Sequence, residues 1–115
     1  MGRSDKEKKL DNELISYVGT FNTEKAEAAL KILLSNEEIQ AIQDYANTVS
    51  IVRLGYNDHG PVHMRTVIMN AMHMLKLLKQ ANVKTTLEND GCGDFEDSLI
   101  AVILASMLHD LGMSV

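Results

Sequence analysis

With 115 residues, 45% hydrophobic and 23% charged, the chain suits one globular domain with a modest core and is too apolar to be disordered. A formal charge of −5 argues against a nucleic-acid backbone as partner, because the phosphate term needs a basic face. A small phosphorylated molecule stays open as a ligand if a bound cation supplies the positive charge. The lone Cys92 excludes an internal disulfide framework and fits a reducing compartment. Met1 to Leu10 is too charged for a signal peptide, and the apolar run from Leu99 to Leu108 is too short to span a bilayer. The expectation is a soluble cytoplasmic chain with no membrane and no nucleic-acid partner.

Leu, Ile, Ala, Met, Glu and Lys dominate, with one Pro and no Trp, so an all-α fold of about five helices in a single domain, residues 1–115, is predicted. Ser4 with Glu7 has capping-box spacing and opens a first helix through Leu10, Leu14, Ile15 and Val18, ending near Gly19. Asn22 or Thr23 caps a second, with Ala26, Ala29, Leu30, Leu33 and Leu34 on one face. Ser35 with Glu38 starts a third, running past Val49 and Val52 to about Gly55. Tyr56 to Gly60 reads as a turn. Pro61 then suits the first turn of a fourth helix, where its missing N–H costs nothing. That helix runs to about Ala81 with an apolar band wide enough for a central position. Asn82 to Glu88 leaves the helix, and Asn89 to Gly93 is a loop. Asp94 caps a fifth helix, with Glu96 and Asp97 suiting its dipole and Gly112 available as C-cap.

The fifth helix is an apolar run ending in an adjacent His109–Asp110 pair. A buried carboxylate needs a partner or a metal, and a negative charge in a last turn opposes the helix dipole. His63 lies in the first turns of the fourth helix, on a face shared with Val67 and Asn70. Antiparallel-like packing of these two helices would bring His63 to His109 and Asp110, a donor set suited to a divalent transition metal. Two ordinary hydrogen-bonded histidines and a compensated C-terminal carboxylate are the alternative. Arg65 lies about 200° round the helix from His63 and is not assigned to phosphate.

His63, the Val67 four residues on, and a later His109–Asp110 pair resemble the HD-domain superfamily of metal-dependent phosphohydrolases. The resemblance covers Tyr56 to Met113. It implies an HD-domain-like helical bundle over residues 56–115 and a divalent ion (Mn, Ni, Co, Fe, Zn or Mg) held by His63, His109, Asp110 and a further Asp. No residue before Val115 matches that last Asp, so the expectation is a domain truncated after the pair. The spacing of His59 and His63 is similar to the tandem histidines of cyclic-nucleotide phosphodiesterases in that superfamily. By that likeness His59 is a general acid or phosphate contact; a turn histidine helping to cap the helix is the other reading. The missing lysine after Gly112 disfavours the cyclic-di-GMP-degrading subgroup.

The implied activity is hydrolysis of a phosphoester, plausibly of a nucleotide. The alternative is a non-catalytic helical module acting through self-association, as a homodimer or higher oligomer. Other features are weaker. Asp90 to Asp97 lacks the ligand pattern of an EF-hand and reads as a solvated acidic turn. Cys92 has no partner for catalysis. Met64, Met69, Met72, Met74 and Met107 read as core or interface filler, His73 as a surface or interface residue, and Lys76, Lys79 and Lys84 as a solvated face.

Overall fold

The computed structural model describes residues 5–48 and 61–109. These form α1 (Asp5–Gly19), α2 (Glu24–Ser35), α3 (Glu37–Thr48), α4 (Pro61–Gln80), α5 (Thr86–Asn89) and α6 (Phe95–Leu108), with no strand among them. The all-α class is as expected, but the described residues hold six helices rather than five. The extra one, α5, is a single turn inside the stretch read as loop. A reciprocal capping box makes it: Glu88 N–H donates to Thr85 Oγ1 at 3.3 Å and Thr85 N–H to Glu88 Oε1 at 3.1 Å.

Four helices close a ring in which α1 packs on α2 and α4, and α6 packs on the same two. Leu14 and Val18 of α1, Leu30 and Leu33 of α2, Met64, Ile68 and Met72 of α4, and Leu99, Ile103 and Met107 of α6 fill its centre. Their three- and four-residue spacing is what a helix needs to bury one stripe. The methionine reading holds for Met64, Met72 and Met107, which are fully buried, whereas Met74 is 61% exposed.

Contacts along the helices fix their directions. Asp11 meets Arg65, Tyr17 meets His73 and Thr20 meets Lys76, so α1 and α4 run parallel. His63 meets His109 while Lys79 lies over the Phe95 ring, so α4 and α6 are antiparallel. The start of α2 meets the start of α6, making that pair parallel too. Two positive helix ends therefore sit side by side, and acidic groups offset them. Asp94 caps α6 in a box with Asp97; the Asp97 backbone N–H lowers the Asp94 pKa from its ordinary value. Glu96 reaches across to accept from Lys25 N–H at 3.1 Å.

That bridge explains a difference at α2. Thr23 is the N-cap, as one of the two expected residues, but its side chain makes no capping bond. Glu96 serves the helix start instead. Glu96→Ala is expected to cost about 1 kcal/mol, the usual value of a lost cap, in urea unfolding. At α3 the capping residue is Asn36, not Ser35. Asn36 Oδ1 accepts from Ile39 N–H at 2.9 Å, while the Ser35 hydroxyl turns back to the Lys31 carbonyl at 2.8 Å. Asparagine's carbonyl reaches the third amide on, Ile39, so α3 starts with a single side-chain cap one residue after the expected Ser35.

α4 stops in a Schellman turn with Asn82 at φ 57°; Val83 N–H bonds Leu78 O at 2.9 Å and Asn82 N–H bonds Lys79 O at 3.1 Å. Lys79 and Lys84 are exposed, as a solvated face requires, and Lys76 is half-buried. Lys76 Nζ lies 4.8 Å from the Tyr17 ring centroid and Lys79 Nζ 4.6 Å from that of Phe95, so both charges rest on aromatic faces. Ser4, Val49, Val52, Gly55 and Gly112 fall outside the described residues. Among the described residues no helix is long and apolar enough to cross a membrane.

Candidate metal centre

The antiparallel α4–α6 pair places the first turn of α4 beside the last turn of α6. Pro61 starts α4, so His63 projects from its first turn. His109 is the C-cap of α6, with φ −62° and ψ −30°. Their rings meet with centroids 6.0 Å apart and planes inclined by 54°. His63 is half-buried and His109 exposed, so the pair sits at the rim of the bundle.

His109 Nδ1 lies 2.8 Å from the Ser106 carbonyl. A carbonyl only accepts, so Nδ1 is the donor in this contact. This is the arrangement by which ligating histidines are commonly oriented, one nitrogen donating to a backbone oxygen.

With metal–nitrogen bonds of about 2.0–2.1 Å and an imidazole radius of about 1.2 Å, two rings on one ion have centroids about 5.3 Å apart at a tetrahedral angle and about 6.5 Å apart when opposed. The observed 6.0 Å lies between these values, wider than a tetrahedral site sets. Among the described residues no group of three or more His, Cys, Asp or Glu is placed to hold a metal. His63 and His109 supply two donors. Asp110, the third expected ligand, and His59, the expected proton donor, lie outside the described residues.

Sequence reasoning missed what stands behind these histidines. Arg65 is fully buried; its Nε donates to Asp11 Oδ1, its Nη1 to the Pro61 carbonyl at 3.1 Å and its Nη2 to Gln40 Oε1 at 3.2 Å. The reading of Arg65 as turned away from His63 agrees with this, and its charge is spent on α1, α3 and α4. Gln43, also fully buried, donates from Nε2 to the Met107 carbonyl at 3.0 Å. No spacing rule links Asp11 with Arg65 or Gln43 with Met107. Only the absence of a solvent-facing position for Arg65 on an apolar band could have raised the question.

Elsewhere, Tyr17 and His73 lie with ring centroids 4.4 Å apart on an open groove between α1 and α4 that Lys9, Glu13 and Met69 also line. Cys92 is an exposed free thiol.

Compared with known proteins, the chain is 40% identical over 83 residues to an uncharacterized protein of Methanocaldococcus jannaschii. The match takes in 72% of this chain and 32% of the relative, so the chain spans about a third of that protein's length. No family model matches, and no solved structure matches.

Proposed function

We propose that this chain carries the His and His–Asp part of a divalent-metal site in a phosphohydrolase of the HD-domain type. The observation that supports it is the approach of His63 and His109 from two antiparallel helices, with His109 Nδ1 held 2.8 Å from the Ser106 carbonyl. The metal would be held by His63, His109 and Asp110, with a further Asp from a longer protein. A divalent ion there supplies Lewis-acid chemistry toward water and a phosphate oxygen. His59, four residues before His63 in sequence, would give a proton to the leaving oxygen. The Ser106 carbonyl holds the His109 ring at Nδ1. The substrate class is a small phosphoester, a nucleotide being the leading candidate.

The test is metal content. After incubation with manganese or nickel and extensive dialysis, the 115-residue chain is expected to retain metal, and His63→Ala and His109→Ala to fall to background. Equal content in all three proteins would end the assignment.

A second reading, self-association without catalysis, has its own support. Ala101, Leu104, Ala105 and Leu108 form an exposed stripe on α6, with Leu104 39% and Leu108 38% accessible. Met74 and Leu77 of α4 are exposed as well. Apolar area of this kind is commonly covered by a second copy. Sedimentation equilibrium of the wild type and Leu104→Glu decides it: a dimer that the substitution dissociates supports the module, a monomer in both removes it.

A further inference from the structure

We propose that α3 is a positioning strut, setting the distance between His63 and His109 through Gln40 and Gln43. Its functional meaning rests on the metal reading above.

Gln40 and Gln43 are three residues apart and share a face of α3. Gln40 accepts from Arg65, which also grips the Pro61 carbonyl in the first turn of α4, two residues from His63. Gln43 donates to the Met107 carbonyl in the last turn of α6, two residues from His109. Its Nε2 also lies 3.1 Å from Met107 Sδ. One helix thus holds both histidine-bearing turns from behind. Asp11 on α1 completes the chain of contacts through Arg65.

The choice of residues has a physical sense. The last carbonyls of a helix have no partner within it, and those of α6 end beside the site. An amide donor from α3 satisfies one of them and thereby pins where α6 ends. Buried polar groups gather at this end: Asp11, Gln43, Arg65 and Ser106 are all less than 9% exposed. An apolar contact would fill the same space but leave the two turns free to slide along each other. Hydrogen bonds fix distance and direction together. Gln40 Nε2 and Gln43 Oε1, buried and with no partner among the described residues, are a donor and an acceptor one turn apart on the same strut.

The test uses the full chain with two variants, Gln43→Met and the milder Gln40→Met. Ser98→Ala, a buried polar group at the opposite end of α6, is the control. Two quantities are read at a temperature where circular dichroism shows every protein folded. The first is the proton cross-relaxation peak between the His63 and His109 rings, which needs no metal. The second is affinity for manganese or nickel by calorimetry. In Gln43→Met the ring cross-peaks are expected to weaken or vanish and affinity to fall roughly 10–100-fold, as for other outer-shell partners of ligating histidines. Ser98→Ala should change neither. Unaltered cross-peaks in both glutamine variants would overturn the strut, even if His63 and His109 bind metal in the wild type. Cross-peaks that respond in a wild type that takes no metal would keep the strut and discard the metal.

Discussion

Arg65→Met is expected to lower the unfolding free energy by about 3–5 kcal/mol, because it removes the buried guanidinium whose Nε donates to the Asp11 carboxylate. Arg65 is fully buried and Asp11 is 7% exposed, so water does little to compensate either charge. The guanidinium is also held by the Pro61 carbonyl and Gln40, and the substitution leaves Gln40 Oε1 without that donor while the Pro61 carbonyl keeps its helical partner. The double variant Asp11→Leu/Arg65→Met removes both charges together and is expected to recover most of the loss, since a buried pair is often no more stabilising than apolar residues of similar volume. Urea unfolding of the two singles and the double closes the cycle. A single variant within 1 kcal/mol of wild type, or a double as unstable as the single, would show that the pair is not closed off from solvent.

Ile103→Ala is the second large effect, with an expected cost of about 2–5 kcal/mol. Ile103 is fully buried in the ring centre, where α6 faces α2 and α4. The spread reflects how far those neighbours can collapse into the cavity. Leu104, the next residue, is 39% exposed and faces outward, so Leu104→Ala should cost less than about 1 kcal/mol. Equal losses at the two positions would mean that α6 is rotated from the orientation described, or that another chain covers its outer stripe.

The sequence was informative where interactions are local. Leu14 and Val18, Ala26 and Leu30, and Ile68, Met72 and Leu75 of α4 repeat at helical spacing and lie on the buried stripe, whereas Met74, Leu77 and Leu78 of the expected α4 band are exposed. Pro61 as a helix start and Asp94 as a cap were legible because both act within four residues of themselves. Asn36 was missed in favour of Ser35 because both are good caps and adjacent. Nothing short of the backbone angle decides between them. α5 was missed because a four-residue helix is too short to show periodicity.

The candidate site was half legible. An apolar helix ending in a histidine and a second histidine at another helix start sufficed to expect that they meet, and His63 and His109 do. Their supports were not legible. Asp11 and Arg65 are 54 residues apart and Gln43 and Met107 64 apart, and a polar residue on an amphipathic helix gives no hint that its partner is remote. The ring contacts of Lys76 and Lys79 were not legible for a related reason. A lysine's stem lets its charge lie back over a ring of another helix, and spacing along one helix carries no record of that.

Cys92 lies in the turn before α6, and His109 caps the far end of that helix. At 1.5 Å per residue the two are separated by one rigid rod of about 20 Å. The thiol is exposed and is the chain's sole cysteine. A fluorophore attached there would sit well clear of the histidines. Yet it would still be near enough for a coloured divalent ion to quench it, turning occupancy of the opposite end into an optical signal.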